Sequence, residues 1–324
     1  MPNIYMHAKF ALDVYDKLDI NTKYLLLDYK NHLTTFAQSV DPLFLYDLKH
    51  KNSRIRDFCH YFHNNKSKDF FKNLINYIKY NHLENDPEII AFLYGFLSHY
   101  ILDSTMHPYI IYKTGIFNKN DKDTYKYRGK HYLMENYLDK EFIKLREQTN
   151  PVKYKFYDVL NTKEFSKNLN DLIDITFKET FDVNNMSKFY YKSIINMKRL
   201  YKLLRYDKTG LKLLCYRFIN LIAPKTIKTD IRYISYHYTE KNLKHYLNLE
   251  RNKWNYPTHK SKKYNYSIID LYINALTKCK NLILEINKYL FENKKINLDK
   301  LLDNLSYASG IDCTNKRELK YFEF

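Results

Sequence analysis

Glycine and proline are scarce in this chain, with five and seven among 324 residues. Barrels and sandwiches turn their strands on these residues, so the shortage disfavours a turn-rich β architecture. With 45% hydrophobic residues it favours long helices instead. The expected fold class is all-α, in a chain long enough to bury a core without staples. Cysteine is sparse too. Cys59, Cys215, Cys279 and Cys313 lie far apart and form no Cys-x-x-Cys pair, which excludes a zinc ribbon and a dense disulfide framework and suggests free thiols. No apolar run approaches the roughly 20 residues needed to cross a bilayer. The longest, Ile89 to Leu97, is short, and Arg217 interrupts the next candidate. The N-terminal stretch MPNIYMHAKFALDVYDKLD lacks a basic segment followed by an apolar one, and Asp13 and Asp16 break it early. A cytoplasmic location is therefore expected. A phosphate-binding glycine loop, a Gly-x-Ser-x-Gly elbow and an internal repeat are all missing.

What the chain has in excess is positive charge. Fifty-four Lys and Arg against 36 Asp and Glu give a formal charge of +18, which attracts phosphate-bearing partners such as nucleic acid or anionic lipid without choosing between them. A solvated basic surface arising from a composition heavy in Lys, Asn, Ile and Tyr accounts for the same number. Arg/Gly tracts and zinc-finger spacings are absent, so specific reading of nucleic acid is not expected.

The pattern of apolar residues predicts helices over 1–18, over 21–39 and through 54–80. Between the last two, Pro42 biases Asp41 away from helical geometry and turns the chain. Asn85-Asp86-Pro87-Glu88 marks a helix start, with proline in the first turn and acids at the positive end. A polar loop over 114–128 is expected to cover the mouth of any pocket. Amphipathic helices follow, among them 163–181, 187–204, 231–249 and 268–291, and the segment around Trp254 and Pro257 reads as a packed turn. The expected organisation is a helical domain over 1–150 and a helical extension over 151–324 packed on it, or the two as one continuous domain.

The chemistry concentrates in AFLYGFLSHYILDSTMHP, residues 91–108. His99, Asp103 and His107 recur every fourth residue in an otherwise apolar run, and helical steps of about 100° put all three on one face. A single histidine there is most simply a core group satisfied by ordinary hydrogen bonds. Three in register are different, because an ionised Asp between two His is costly to bury unless a cation neutralises it, and a divalent metal does so directly. His131 and Glu135 are again four apart and can reach one metal, although in isolation an exposed i,i+4 pair is the better explanation of them. Asp41 sits where a carboxylate can point into a cleft, and His60 and His63, three apart, both remain candidates. His237, His245 and His259 are scattered and read as surface or core histidines.

In order, His7 in MPNIYMHAKFA, Asp41 in VDPLFLYD, a His before KSKDFF, the His99/Asp103/His107 run and His131-Tyr-Leu-Met-Glu135 resemble the zinc-dependent phospholipase C family of helical metal hydrolases. The Asn/Trp/Pro turn at 252–257 resembles a branch of small members. The resemblance implies two or three zinc ions in a cleft of a helical bundle. Asp41, His63, His99 and Asp103 would hold one ion, Asp103 would bridge to a second bound by His7, and His107, His131 and Glu135 would hold the third. His63 is preferred to His60 because the family places its His directly before a polar stretch leading into a Phe-containing helix, as in HNNKSKDFF. The implied activity is phosphodiester hydrolysis, with metal-activated water attacking phosphorus and Asp41 orienting that water or accepting its proton. A phospholipid or smaller phosphodiester is the implied substrate, with peripheral contact to anionic membrane possible. Secreted members also use the amine and carbonyl of a mature N-terminal residue, whereas this chain starts Met1-Pro2. The C-terminal β-sandwich of the toxins is replaced by helical sequence. Two rival readings are a non-catalytic helical protein braced by metal and a metal-dependent hydrolase of nucleotides or nucleic acid.

Overall fold

The scarcity of glycine and proline is realised as helix. In the computed structural model, which describes all residues except 1–3, 48–53, 119, 223–232, 234, 238–242, 316 and 324, the first half holds α1 (Ile4–Tyr15), α2 (Ile20–Leu25), α3 (Lys30–Phe36), α4 (Arg54–Phe62), α5 (Ser67–Tyr80), α6 (Pro87–Thr114) and α7 (Lys130–Glu147). The second half adds α8 (Lys167–Phe181), α9 (Met186–Leu204), α10 (Leu211–Ile222), a hairpin of β1 (Trp254–Tyr256) and β2 (His259–Tyr264), α11 (Ile268–Leu290) and the short α12 (Leu298–Leu301).

The 28-residue α6 is the axis of the fold. Asp86 caps it by accepting from the Glu88 and Ile89 amides at 3.0 and 3.4 Å, and Pro87 occupies the first turn, where its missing N–H costs nothing. This helix is long and apolar enough to cross a membrane, but its neighbours bury it almost entirely, so it is a core helix. α1, α3 and α11 pack along it, and α7 crosses beside its C-terminal half. Gly95 lets α3 come close: a Cβ built there would lie 2.6 Å from Phe36.

Pro108 lies inside α6 without ending it. Proline cannot donate to the Ser104 carbonyl one turn earlier. The chain at Gly310, with φ of +63°, packs against that freed carbonyl so tightly that a Cβ would sit 2.4 Å from it. The segment around Tyr307 is thereby brought over the polar face of α6. One hydrophobic cluster runs from Ile4 through Phe96 to Ile286 and Tyr307, drawing on residues from both 1–150 and 151–324.

Three local expectations change. The helix expected over 21–39 is broken: after α2 a 3-10 turn, Leu27–Tyr29, redirects the chain into α3 so that Leu26 is buried while Ile20 and Tyr24 stay exposed. The turn around Trp254 is an antiparallel hairpin pairing Trp254 with Tyr264 and Tyr256 with His259, and Trp254 packs edge-on to Tyr109 of α6 at 5.2 Å. Much of the helix expected over 231–249 lies outside the described residues, and Lys244–Leu247 within it is a 3-10 turn. The described part of the 114–128 loop folds on the end of α6, where the Tyr127 ring lies against Gly115 and 5.6 Å from Phe322.

Candidate metal centre

Five elements converge on the polar face of α6. α6 supplies His99, Asp103 and His107; α1 supplies His7; the 3-10 turn Asp41–Leu45 supplies Asp41; the end of α4 supplies His63; and α7 supplies His131 and Glu135. Asp103 is the hub. Its carboxylate lies 3.2 Å from His7 Nε2, 3.0 Å from His99 Nε2 and 3.5 Å from His107 Nδ1. Beyond it, Asp41 is 3.0 Å from His63 Nε2 and 3.9 Å from His99 Nε2. On the other side, Glu135 Oε1 is 3.3 Å from His107 Nε2 and 2.8 Å from His131 Nε2. The rings of His7 and His99 stack with centroids 4.0 Å apart.

Candidate donor atoms fall into compact groups: His7, Asp41 and His99; Asp41, Cys59 and His63; His63, His99 and Asp103; and His107, His131 and Glu135, each with its atoms within 4.8 Å of one another. Ligand atoms at about 2.0–2.2 Å around a tetrahedral ion lie about 3.3–3.6 Å apart, and the observed separations, 2.8 to 3.9 Å, bracket that range. His60 takes no part; it is exposed at the α4 surface against Phe44, whereas the largely buried His63 faces Asp41.

The histidine tautomers are set by the backbone. Nδ1 of His63 lies 2.7 Å from the Cys59 carbonyl, Nδ1 of His99 2.9 Å from that of Ala37, and Nδ1 of His107 2.8 Å from that of Tyr307. A carbonyl only accepts, so each Nδ1 carries a proton and donates, leaving Nε2 as the atom that faces the carboxylates and would ligate a metal. This is the outer hydrogen bonding characteristic of metal-ligating imidazole. His7 Nδ1 and Asp41 Oδ2 are buried without a hydrogen bond, and His99 Nε2, which makes no well-directed one, faces the Asp103 and Asp41 carboxylates at 3.0 and 3.9 Å. Buried polar atoms are seldom left so, and a cation would satisfy these. The donor set, imidazole nitrogen and carboxylate oxygen with the Cys59 sulfur beside Asp41 and His63, suits zinc.

Electrostatics agree with the geometry. Burial would raise the Asp103 carboxyl, but His107, His99 and His7 outweigh it and hold it well below the ordinary value. Asp41 is likewise lowered against burial by His99 and His63, and Glu135 by His131 and His107. Burial opposes the charge on His107, yet Asp103 and Glu135 push it up to about 9. Burial and the neighbouring His99 lower His7. The carboxylates are therefore ionised and compete for cations.

Three neighbouring residues left little or no signal in the sequence. Cys59, one turn before His63, is buried and donates its thiol to the Val40 carbonyl at 3.2 Å; burial raises it, so it stays protonated. Tyr307 binds through its backbone, accepting from His107 and donating to the His63 carbonyl at 2.8 Å, while its ring packs 5.2 Å from His63 and 5.8 Å from His99. Asp139, one turn after Glu135 on α7, accepts from the Tyr5 and Met6 amides at 3.2 and 2.9 Å. These are open donors of the first turn of α1, so Asp139 fixes the start of the helix that carries His7. The i,i+4 step from Glu135 was its only trace in the sequence. Met1–Asn3, where an N-terminal ligand would lie, are outside the described residues. His237 pairs with Asp207 and His259 with Arg317, both away from this cluster.

No curated protein and no solved structure gives a significant match to the chain. The family profile described as zinc dependent phospholipase C does match, over residues 6–183, a span that includes every residue of the cluster on α1, α4, α6 and α7 together with Asp41. With more than half its length matched and its donor groups gathered on one face of α6, the chain belongs to the zinc-dependent phospholipase C family of metal-dependent hydrolases.

Proposed function

We propose that this chain hydrolyses a phosphodiester of phospholipid type at a site of two or three zinc ions. His63, His99 and Asp41 would hold one ion; His7 and Asp103 would contribute to a second, with Asp103 shared between them; and His107, His131 and Glu135 would hold the third. Bound zinc supplies charge neutralisation at phosphoryl oxygens and lowers the pKa of water toward neutrality. The observation that carries this reading is one buried cluster of converging imidazoles and carboxylates in which His7 Nδ1, Asp41 Oδ2 and His99 Nε2 lack a well-directed hydrogen bond.

The protein's own residues have distinct tasks. Asp41, kept ionised by His99 and His63, accepts the proton of the water that attacks phosphorus. The new P–O bond forms as the bond to the alcohol oxygen breaks, giving an alcohol and a phosphomonoester. Ala37, Cys59 and Tyr307 orient the imidazoles through backbone carbonyls. His131, with 31% of its side chain exposed, leaves one end of the cluster open to water and substrate. An open end favours catalysis over a closed structural site. A phospholipid substrate lies in a surface, so peripheral contact with anionic membrane belongs to the same reading. The test is turnover of bis(p-nitrophenyl) phosphate by zinc-loaded protein. Turnover that Asp41→Asn abolishes supports the proposal, and its absence from well-folded, zinc-loaded protein contradicts it.

A further inference from the structure

The strongest unexplained surface is α10. Leu211, Leu214, Phe218, Leu221 and Ile222 are 63%, 62%, 62%, 83% and 65% exposed. At steps of 100° they fall within an arc of about 100°, so α10 presents a continuous apolar face outward. The opposite side faces the protein: Tyr216 is buried, and Lys212 Nζ donates to the carbonyls of Leu203 and Arg205 at the end of α9. Leu203 and Tyr206, also exposed, extend the patch across the α9–α10 turn. Scattered exposed leucines need no explanation, but a contiguous apolar helix face does.

The charges around the face identify its partner. Between residues 198 and 222 there are seven Lys and Arg and one carboxylate, Asp207. Arg199, Lys202, Arg205, Lys208 and Arg217 are exposed, while Asp207 is engaged by His237 and Thr209. An apolar helix face rimmed by cations, on a chain of charge +18, complements an anionic lipid bilayer. A second copy would bring the same cations together and repel. The choice of lipid over a protein partner also rests on the phospholipid substrate proposed above.

We propose that α10 is a membrane-docking helix, lying in the plane of an anionic bilayer with Leu211, Leu214, Phe218, Leu221 and Ile222 among the acyl chains and Arg205, Lys208 and Arg217 at the phosphates. It would hold the enzyme on the surface that contains its substrate.

The test uses the full chain and two independent readouts. Co-sedimentation is measured with phosphatidylglycerol/phosphatidylcholine vesicles and with pure phosphatidylcholine vesicles. Turnover of bis(p-nitrophenyl) phosphate, which needs no membrane, is measured in parallel. Binding to the anionic vesicles is expected, with Leu214→Glu/Phe218→Glu lowering partitioning by about a factor of ten or more. Arg205→Glu/Arg217→Glu should remove the preference for anionic lipid, and turnover of the soluble ester should be unchanged in both variants. Cys215 lies on the same exposed face, whereas Cys59 and Cys279 are buried. In a Cys313→Ser background, an environment-sensitive dye on Cys215 should therefore shift to the blue when anionic vesicles are added. Wild-type vesicle binding by Leu214→Glu/Phe218→Glu, or a dye that does not respond, overturns the proposal. So does a dimer in solution that this variant dissociates, because a second copy would then own the face. Vesicle binding without soluble turnover leaves the docking helix standing and removes the hydrolase reading instead.

Discussion

Gly95→Ala tests whether the metal cluster depends on how closely α3 approaches α6. The new Cβ would lie 2.6 Å from the Phe36 backbone carbon and Cβ and 2.8 Å from the Ala37 nitrogen. Carbon atoms pack at about 3.5–4.0 Å, so α3 must retreat by about 1 Å. Overpacking of this kind costs about 1–3 kcal/mol, and the better helix propensity of alanine offsets up to about 1 kcal/mol of it. The net loss should be about 1–2 kcal/mol, visible as a drop of a few degrees in Tm. The larger effect is on zinc. The carbonyl that accepts from His99 Nδ1, 2.9 Å away, belongs to Ala37, the next residue after the clash. A shift of about 1 Å takes that bond past the useful range and releases the imbalance of tautomers in His99, so zinc affinity should fall by about 10–100-fold. Competition titration with a chromophoric chelator measures it. Gly210→Ala is the control: nothing lies within 4 Å, its φ of +71° makes the cost purely local, and zinc affinity should not change. Wild-type Tm and wild-type zinc affinity in Gly95→Ala would refute this reasoning.

Three further outcomes follow from the same geometry. His63→Ala should lose zinc and turnover while His60→Ala keeps both; equal losses would contradict the placing of His63 against Asp41 and of His60 at the surface. Asp139→Ala leaves the Tyr5 and Met6 amides buried without their acceptor, and should lower stability by about 2–4 kcal/mol in denaturant titrations; a value near zero would mean that α1 starts without help from α7. The third concerns pH. His107 in the metal-free protein is raised from an ordinary 6.5 to about 9, so its pairing with Asp103 and Glu135 stabilises the fold fully below about 6.5 and is lost as pH rises through about 9. The chelated protein should therefore lose Tm between pH 6.5 and 9, whereas zinc affinity should rise over the same interval as the competing proton leaves. Zinc affinity that falls with rising pH would contradict this.

The sequence disclosed whatever depends on local spacing. His99, Asp103 and His107 are set on one face by the helical repeat alone, and Asp86-Pro87 announces its own helix start. Contacts across the fold left no such mark. Tyr307 joins the cluster 200 residues after His107 because Gly310 packs on the carbonyl that Pro108 frees, and no local pattern encodes that meeting. The 21–39 helix fails for a related reason: without glycine or proline nothing local signals a break, and the redirection at Leu26 is driven by its burial in the core. The apolar face of α10 is visible as a sequence pattern, but only the fold shows that it points outward.

The most direct measurement is the metal content of the chain, purified without added metal and analysed by elemental mass spectrometry. Two or three zinc ions per chain are expected, a number lowered by Asp103→Asn and accompanied by a fall in Tm on chelation. A metal-free chain that neither takes up zinc nor changes Tm with chelator would contradict it, and would make His99, Asp103 and His107 ordinary polar groups of a helical core.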